Sequence, residues 1–373
     1  MASEWTTCKI KDVLSFVVDN RGKTPPTEEE GFELLEVNAV SATDKYPQYQ
    51  VVRKRVSEEI YNSWFRSGHP RVGDILVPTV GTLGAVSFVD KNDCCIAQNL
   101  IALRANPEIC DCNYLYYVLC NPITRKRLLN LNIGGVQPSI KVPHLMGLEI
   151  ELPDLETQKK IGNILQILDD KIATTQKIND NLQQLCLLHY RKLSYQNTPN
   201  GCIGDIIIES PKSKIKVGDA KGVSGAYPFF TSGQAILEYG TNLVDGRNIY
   251  LNTGGNADVK YYIGPASYST DTWCIHGVKE LTDYLYLALL DMKDEIEQTC
   301  FDGSTLKHLQ KQKLRDKPVY IPSEDDINIL ATIKANLDLI SHNQRENKKL
   351  ANLRDALLPK LISGTLDVSD IDI

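Results

Sequence analysis

The sequence predicts an α+β protein. It has two mixed globular domains related by an internal repeat, separated by a pair of long antiparallel, coiled-coil-like helices. Three observations predict it: two forty-residue helical patterns, an offset of 169 residues that aligns the two helices and the segments leading into them, and short strand-like runs outside the helices. At roughly 150 residues per domain, 373 residues allow about two cores.

The first helix is expected over about 154–193. Ile161, Leu165, Leu168, Ile172, Thr175, Asn179, Leu182 and Cys186 alternate steps of four and three, a heptad seam, and Asp154 after Pro153 is a candidate N-cap. The second is expected over about 323–361. Its seam reads Leu330, Ile333, Leu337, Ile340, Gln344, Asn347 and Ala351, widened by Leu350, Leu353 and Leu357. Ser323 with Asp326 has the form of a capping box. Helices about 60 Å long outrun a single domain and need a partner along their length. Antiparallel pairing would put the globular domains at opposite ends of a spacer, with Asn179 and Asn347 near mid-seam as polar register markers.

The repeat joins Pro153 to Pro322 and Leu168-Asp169 to Leu337-Asp338. Upstream it joins Gly134 to Gly303, Leu145 to Leu314 and Leu152 to Ile321. The domains are expected at 1–153, 154–197 (helix and linker), 198–322, and 323–373 (helix and tail). Strands are expected at Asp74–Val77, Ala85–Val89 and Asn248–Leu251, and short buried helices at Leu115–Leu119 and Tyr284–Leu290.

Composition excludes several classes. Apolar residues make up 42% and charged residues 24%, which is ordinary globular usage. No apolar run reaches the roughly 18 residues of a membrane span, and the first residues carry no secretory pattern. Ten cysteines without a CxxC suggest reduced thiols in a cytoplasmic protein. No phosphate loop, HExxH, nucleophile elbow or zinc spacing occurs, so neither a catalytic residue nor a metal ligand is assigned. Asn121-Pro122-Ile123-Thr124 faintly resembles an amino-methyltransferase motif but lacks its second proline and aromatic; a helix cap is the plainer reading.

Several segments in order carry a family resemblance. Ile10–Val13 with Arg21-Gly22-Lys23-Thr24-Pro25 resembles the opening of a target-recognition domain. Val72–Leu76 followed by Gly81-Thr82-Leu83-Gly84 resembles its middle, and Leu152-Pro153-Asp154-Leu155-Glu156-Thr157-Gln158 the entry to a spacer helix. Tyr227–Gly233, Gly303-Ser304-Thr305 with Leu309, and Leu358–Gly364 resemble the corresponding parts of the second half. Together they resemble the specificity (S) subunit of a type I restriction-modification system; the second helix departs from the pattern in lacking the Glu-Gln dipeptide.

The resemblance implies a non-catalytic, DNA-binding subunit. Each domain would read half of a bipartite double-stranded target, and the helices would set the gap and dock two methyltransferase subunits. Those partners would use S-adenosylmethionine, no cofactor being expected on this chain, and motor-nuclease subunits could join. The domains differ outside the helix-leading segments, which predicts an asymmetric target. The rival readings are a two-headed interaction scaffold that ignores DNA and a methyltransferase with degenerate motifs; salt-dependent DNA binding and binding of S-adenosylmethionine discriminate them.

Net charge is −6, and neither domain is basic: 16 basic residues face 18 acidic in 1–153, and 13 face 15 in 194–322. DNA contact therefore requires clusters, of which there are four: Arg53–Arg55, Arg125–Arg127, Lys212-Lys214-Lys216 and Lys307–Lys317. The three alternating lysines are expected on one strand face. Base readers should be polar side chains beside glycines. They are expected at Arg21, Lys23, Thr79, Thr82, Gln137 and Ser139 in the first domain, and at Ser232, Gln234, Asn252, Thr253, Asn256, Ser304, Thr305 and Lys307 in the second.

Overall fold

The structure is a computed structural model that describes residues 5–41, 44–303 and 307–371. Two compact units emerge, residues 1–173 with 348–373 and residues 174–347, and the division runs through both long helices.

The first unit contains β1 (Thr6–Lys9), β2 (Leu14–Val18), β3 (Phe32–Leu35), β4 (Arg55–Val56), α1 (Glu58–Ser63), β5 (Ile75–Pro78), β6 (Ser87–Phe88), β7 (Cys94–Ile96) and β8 (Leu100–Ala105). It continues with α2 (Cys112–Cys120), α3 (Pro122–Asn130), α4 (Val142–Met146), β9 (Glu149–Leu152) and the start of α5 (Leu155–Tyr195). The second contains β10 (Gly201–Cys202), β11 (Ile207–Glu209), α6 (Val217–Ala220), β12 (Tyr227–Phe230), β13 (Ile236–Tyr239), β14 (Arg247–Asn252), β15 (Val259–Ile263), β16 (Ser267–Tyr268) and β17 (Thr272–Gly277). After these come α7 (Thr282–Asp291), α8 (Lys293–Thr299), β18 (Phe301–Asp302), β19 (His308–Leu309), α9 (Lys311–Arg315), β20 (Pro318–Val319) and α10 (Ile327–Ile362), whose last turns belong to the first unit.

Both units share one topology. A four-stranded sheet β2-β8-β5-β6 corresponds to β11-β17-β14-β15. A three-stranded sheet β4-β3-β7, with β3 and β7 parallel, corresponds to β13-β12-β16, with β12 and β16 parallel. The pair β1-β9 corresponds to β10-β20. The repeat thus extends through whole domains whose sequences diverge.

The central strands are continuous apolar runs because they are covered on both faces. Ile75, Val77, Ile101 and Leu103 pack on Tyr114, Leu115 and Val118 of α2, on Ile161 and Leu165 of α5, and on Leu358 and Leu361 of α10. Ile249, Leu251 and Ile275 pack on Tyr284, Leu285 and Ala288 of α7 with Cys186, Tyr190, Ile333 and Leu337 of the long helices. The expected strand over 85–89 shortens to β6, and the two expected buried helices lie within α2 and α7.

Helix starts follow their caps. Asp154 accepts the Thr157 N–H at 2.9 Å, which holds its carboxyl below the usual range, and Ser323 donates its N–H to Asp326 at 2.8 Å. Asn121 is buried and caps α3 by accepting the Ile123 N–H at 3.0 Å, with Pro122 in the first turn; the Asn-Pro motif is a helix cap.

The α5 seam is buried or half-buried at Ile161, Leu165, Leu168, Ile172, Asn179 and Leu182. In the second unit the helices run antiparallel: Asn343 donates to Asn179 at 2.8 Å and the Cys186 thiol faces the Ile333 carbonyl. Asn343 is thus a partner of Asn179 across the helix pair, and Asn347 is half-buried. Leu330, Leu337 and Ile340 keep their seam places, whereas Gln344 and Leu353 are exposed. The buried line moves through Ser341 in the second unit and to Leu358 in the first, where Arg354 donates to buried Asp169 at 2.6 Å. Asp169 also accepts from the Tyr117 hydroxyl at 2.6 Å, and Asp170 accepts from the Tyr46 hydroxyl at 2.8 Å.

Candidate nucleic-acid interface

Strand register gathers the candidate loops at one end of each four-stranded sheet. In the first unit Pro78 faces Leu100 and Val18 faces Ala102. Residues 19–23 and 79–84 therefore leave the same sheet end, beside Asn99. In the second unit Asn252 faces Thr272 and Glu209 faces Ile275, so residues 210–216 and 253–256 leave the corresponding end.

A glycine turn clamps each of these ends to the segment leading toward the long helix. Gly81, at φ 87°, donates its N–H to the Pro138 carbonyl at 2.9 Å. Gly255, at φ 82°, donates to the Lys307 carbonyl at 3.0 Å. Both sit in the left-handed region that a Cβ disfavours. Bridges Val80–Ser139 and Gly254–His308 complete the match, and Pro138 and Lys307 differ by the same 169 residues as the sequence repeat.

In the first unit Lys23, Thr82 and Gln137 are exposed and Ser139 is half-buried. The turn after β5 lies against α3: a Cβ at Gly84 would meet Arg125 Cγ at 3.0 Å. Arg125, Lys126 and Arg127 form no ion pair among the described residues, so this cluster keeps its charge for a ligand. Arg21 is engaged within its own loop. It forks onto Asp19 with Nε–Oδ1 at 2.8 Å and an Nη2–Oδ2 bond at 2.7 Å, which lowers the Asp19 pKa. Thr79 is buried, its hydroxyl donating to the Asn99 carbonyl at 3.2 Å. Thr79 falls out of the reader set, because its buried hydroxyl is already satisfied, whereas Arg21 commits only two of its five N–H groups to Asp19.

In the second unit Lys212, Lys214 and Lys216 are exposed and form no ion pair among the described residues. They do not lie on a strand, as the spacing suggested. Pro211 interrupts β11, and the segment runs extended with Ser213 and Ile215 turned inward; the Ile215 carbonyl accepts from Thr270 at 2.9 Å. Alternation survives without a ladder, leaving three lysines outward. The Asp271 carbonyl collects the Ser232 hydroxyl and the Thr253 hydroxyl, the latter at 2.7 Å. Gln234 and Asn256 are exposed. Asn252 is buried, donating to the Asn256 carbonyl at 3.2 Å and accepting from Lys260 at 3.0 Å, and is likewise removed from the readers. Ser304 and Thr305 lie outside the described residues.

The Lys307–Lys317 cluster is not a free basic patch. Lys307 meets Glu297 at 3.0 Å, Lys313 meets Asp302 at 2.6 Å, and Lys317 meets Glu295. Lys311 and Arg315 both hold Glu209, at 3.0 and 2.5 Å, and lie over the Trp273 ring. Lys54 of the Arg53–Arg55 cluster pairs with Glu36 at 2.7 Å. Counting charges along the chain overstates the field here, since the carboxylates that cancel it come from distant segments.

Sequence reasoning missed Asn132, whose carboxamide oxygen accepts the N–H groups of both Gly134 and Ser139 at 2.9 Å. The signal was present as an Asn two residues before a glycine, a common turn former. Also missed was the role of Gln158. Its buried amide donates to the Ile109 and Pro153 carbonyls at 3.1 and 2.8 Å and accepts the Asp111 N–H at 3.0 Å, fixing α5 to the start of α2. Among the described residues no group of three His, Cys, Asp or Glu side chains could hold a metal ion, and no helix is long and apolar enough to cross a membrane.

The type I restriction enzyme MjaIX specificity subunit of Methanocaldococcus jannaschii is 23% identical over 416 residues, spanning 99% of this chain and 95% of that one. The MjaVIII specificity subunit of the same organism is 25% identical over 190 residues, covering 48% and 43%. The crystal structure of the type I restriction-modification S subunit from M. genitalium superimposes with a TM-score of 0.62 at 18% identity, over 96% of both chains, and shares the fold. Residues 2–184 and 198–352 each match the type I restriction modification DNA specificity domain, and the chain therefore belongs to that family of specificity subunits.

Proposed function

We propose that this chain is the sequence-specific DNA-binding subunit of a type I restriction-modification complex and has no catalysis of its own. The observation that carries the reading is the repeated sheet end. Each unit presents polar side chains on loops clamped by a left-handed glycine, at Gly81 and at Gly255. Lys23, Thr82, Gln137 and Ser139 serve one half-site, with Arg125–Arg127 on the phosphates. Gln234 and Asn256 serve the other, with Lys212, Lys214 and Lys216 on the phosphates; Ser232 and Thr253 contribute only by turning their hydroxyls away from the Asp271 carbonyl. Lys307 contributes only by leaving Glu297, and Ser304 and Thr305 join on sequence grounds alone. The loops share a scaffold but not their side chains, which supports an asymmetric target.

Helices α5 and α10 set the gap and dock two methyltransferase subunits that carry S-adenosylmethionine; motor-nuclease subunits complete a restricting complex. Exposed apolar side chains on these helices support docking: Ile178 is 44% exposed and Leu188 60%. The test is binding of the full chain, with its methyltransferase, to a library of duplexes. Enrichment of one gapped, two-part motif with steep salt dependence is expected. Uniform recovery of all sequences would refute the reading.

A further inference from the structure

We propose that Val136 is a specificity-determining residue that contacts the C5-methyl group of a thymine in the half-site read by the first unit. This rests on the DNA-reading function above. Val136 is fully exposed at the tip of the Gly134–Pro138 loop. The loop is tightly closed. Asn132 holds the N–H groups of Gly134 and Ser139, Ile133 donates to the Ser139 carbonyl at 2.9 Å, and Gly81 ties down Pro138. A Cβ at Gly134 would lie 2.0 Å from the Gln137 carbonyl oxygen, so the turn tolerates only glycine there. An apolar side chain is thus held out in water by a turn that cannot fold it back, at the sheet end where Thr82 and Gln137 are also exposed.

The chemistry of the tip selects the ligand. In the major groove an A·T pair displays the adenine N6 and N7 edge and the thymine methyl group. Gln137 offers the amide that pairs with the first, and its neighbour Val136 offers the apolar surface that fits the second. Side chains that wedge between base steps are longer or bulkier, such as Phe, Leu, Ile and Met. Val136 ends two bonds from the backbone and suits surface contact with a methyl group instead.

The test uses the full chain with its methyltransferase and a duplex carrying the motif defined by sequencing adenine methylation. Each thymine of the first half-site is replaced singly by deoxyuridine, which removes only the methyl group. One replacement is expected to weaken wild-type binding about fourfold, the value of one buried methyl group. Val136→Ala should bind the thymine and deoxyuridine duplexes alike while keeping its thermal stability, since the side chain packs on nothing. Wild-type indifference to every replacement, or an undiminished preference in Val136→Ala, overturns the proposal. Loss of DNA bending in Val136→Ala without sensitivity to deoxyuridine overturns it in favour of a wedge. Failure of the unsubstituted duplex to bind would instead refute the DNA-reading function itself.

Discussion

Replacing Lys212, Lys214 and Lys216 together by alanine should flatten the salt dependence of DNA binding. Replacing Lys311, Lys313 and Lys317 should not. Both sets hold three lysines on the second unit, and sequence counting treats them alike. In the structure the first three form no ion pair among the described residues, while Lys311, Lys313 and Lys317 are matched by Glu209, Asp302 and Glu295. A lysine that neutralises a phosphate contributes about 0.9 to the slope of log K against log salt, so three contribute about 2.7. Between 50 and 200 mM salt the wild-type chain should then lose about 40-fold more affinity than the first variant. A lysine already paired with a carboxylate releases no such counterion. The assay is fluorescence anisotropy of a labelled target duplex against the full complex at four or five salt concentrations. Equal slopes for the two triple variants, or the larger change in the second, would mean that carboxylate pairing does not decide which lysines meet phosphate.

Other outcomes follow from single contacts. Asp169→Ala leaves the Arg354 guanidinium and the Tyr117 hydroxyl without their buried carboxylate, and should destabilise the protein by about 3 kcal/mol in denaturant unfolding. The Asp169→Leu/Arg354→Met double variant should recover much of that loss. Gln158→Ala removes a buried amide that makes three hydrogen bonds and should cost about 2 kcal/mol by the same measurement. Gln137→Ala should weaken target binding by about 1–3 kcal/mol and relax one position of the methylation motif, read by sequencing. Burial alone would raise the Asp258 pKa, but hydrogen bonds from Lys260 and Lys293 carry it below its ordinary value. Its stabilising contribution is present above the unfolded pKa and is lost as pH falls through the lower folded value, so thermal stability should drop on acidification below about pH 4, and less steeply in Asp258→Asn.

The long helices were legible because their signal is periodic and local. Seam positions from Ile161 to Leu182 and from Leu330 to Ile340 carry it, and Asp154 and Ser323 mark the starts. Beyond Ile340 the pattern failed where an ion pair replaced an apolar contact, at Arg354 opposite Asp169. The shared sheet topology was hidden. Strands of two to six residues tolerate many apolar side chains, and few positions, the glycine turns at Gly81 and Gly255 among them, are held to one residue type. Candidate readers were identifiable as polar residues near glycines, but their availability was not. Asp19 engages Arg21 from within the same loop, whereas Lys311 and Arg315 are engaged by Glu209 across more than a hundred residues.

The role proposed for this chain is to direct adenine methylation to a two-part, asymmetric DNA sequence. Its most direct test is single-molecule sequencing of methylated adenine in cells carrying the native operon, with and without the chain. One gapped, asymmetric motif should disappear when the chain is absent. An unchanged methylation pattern, in cells where the partner methyltransferase is expressed, would contradict it.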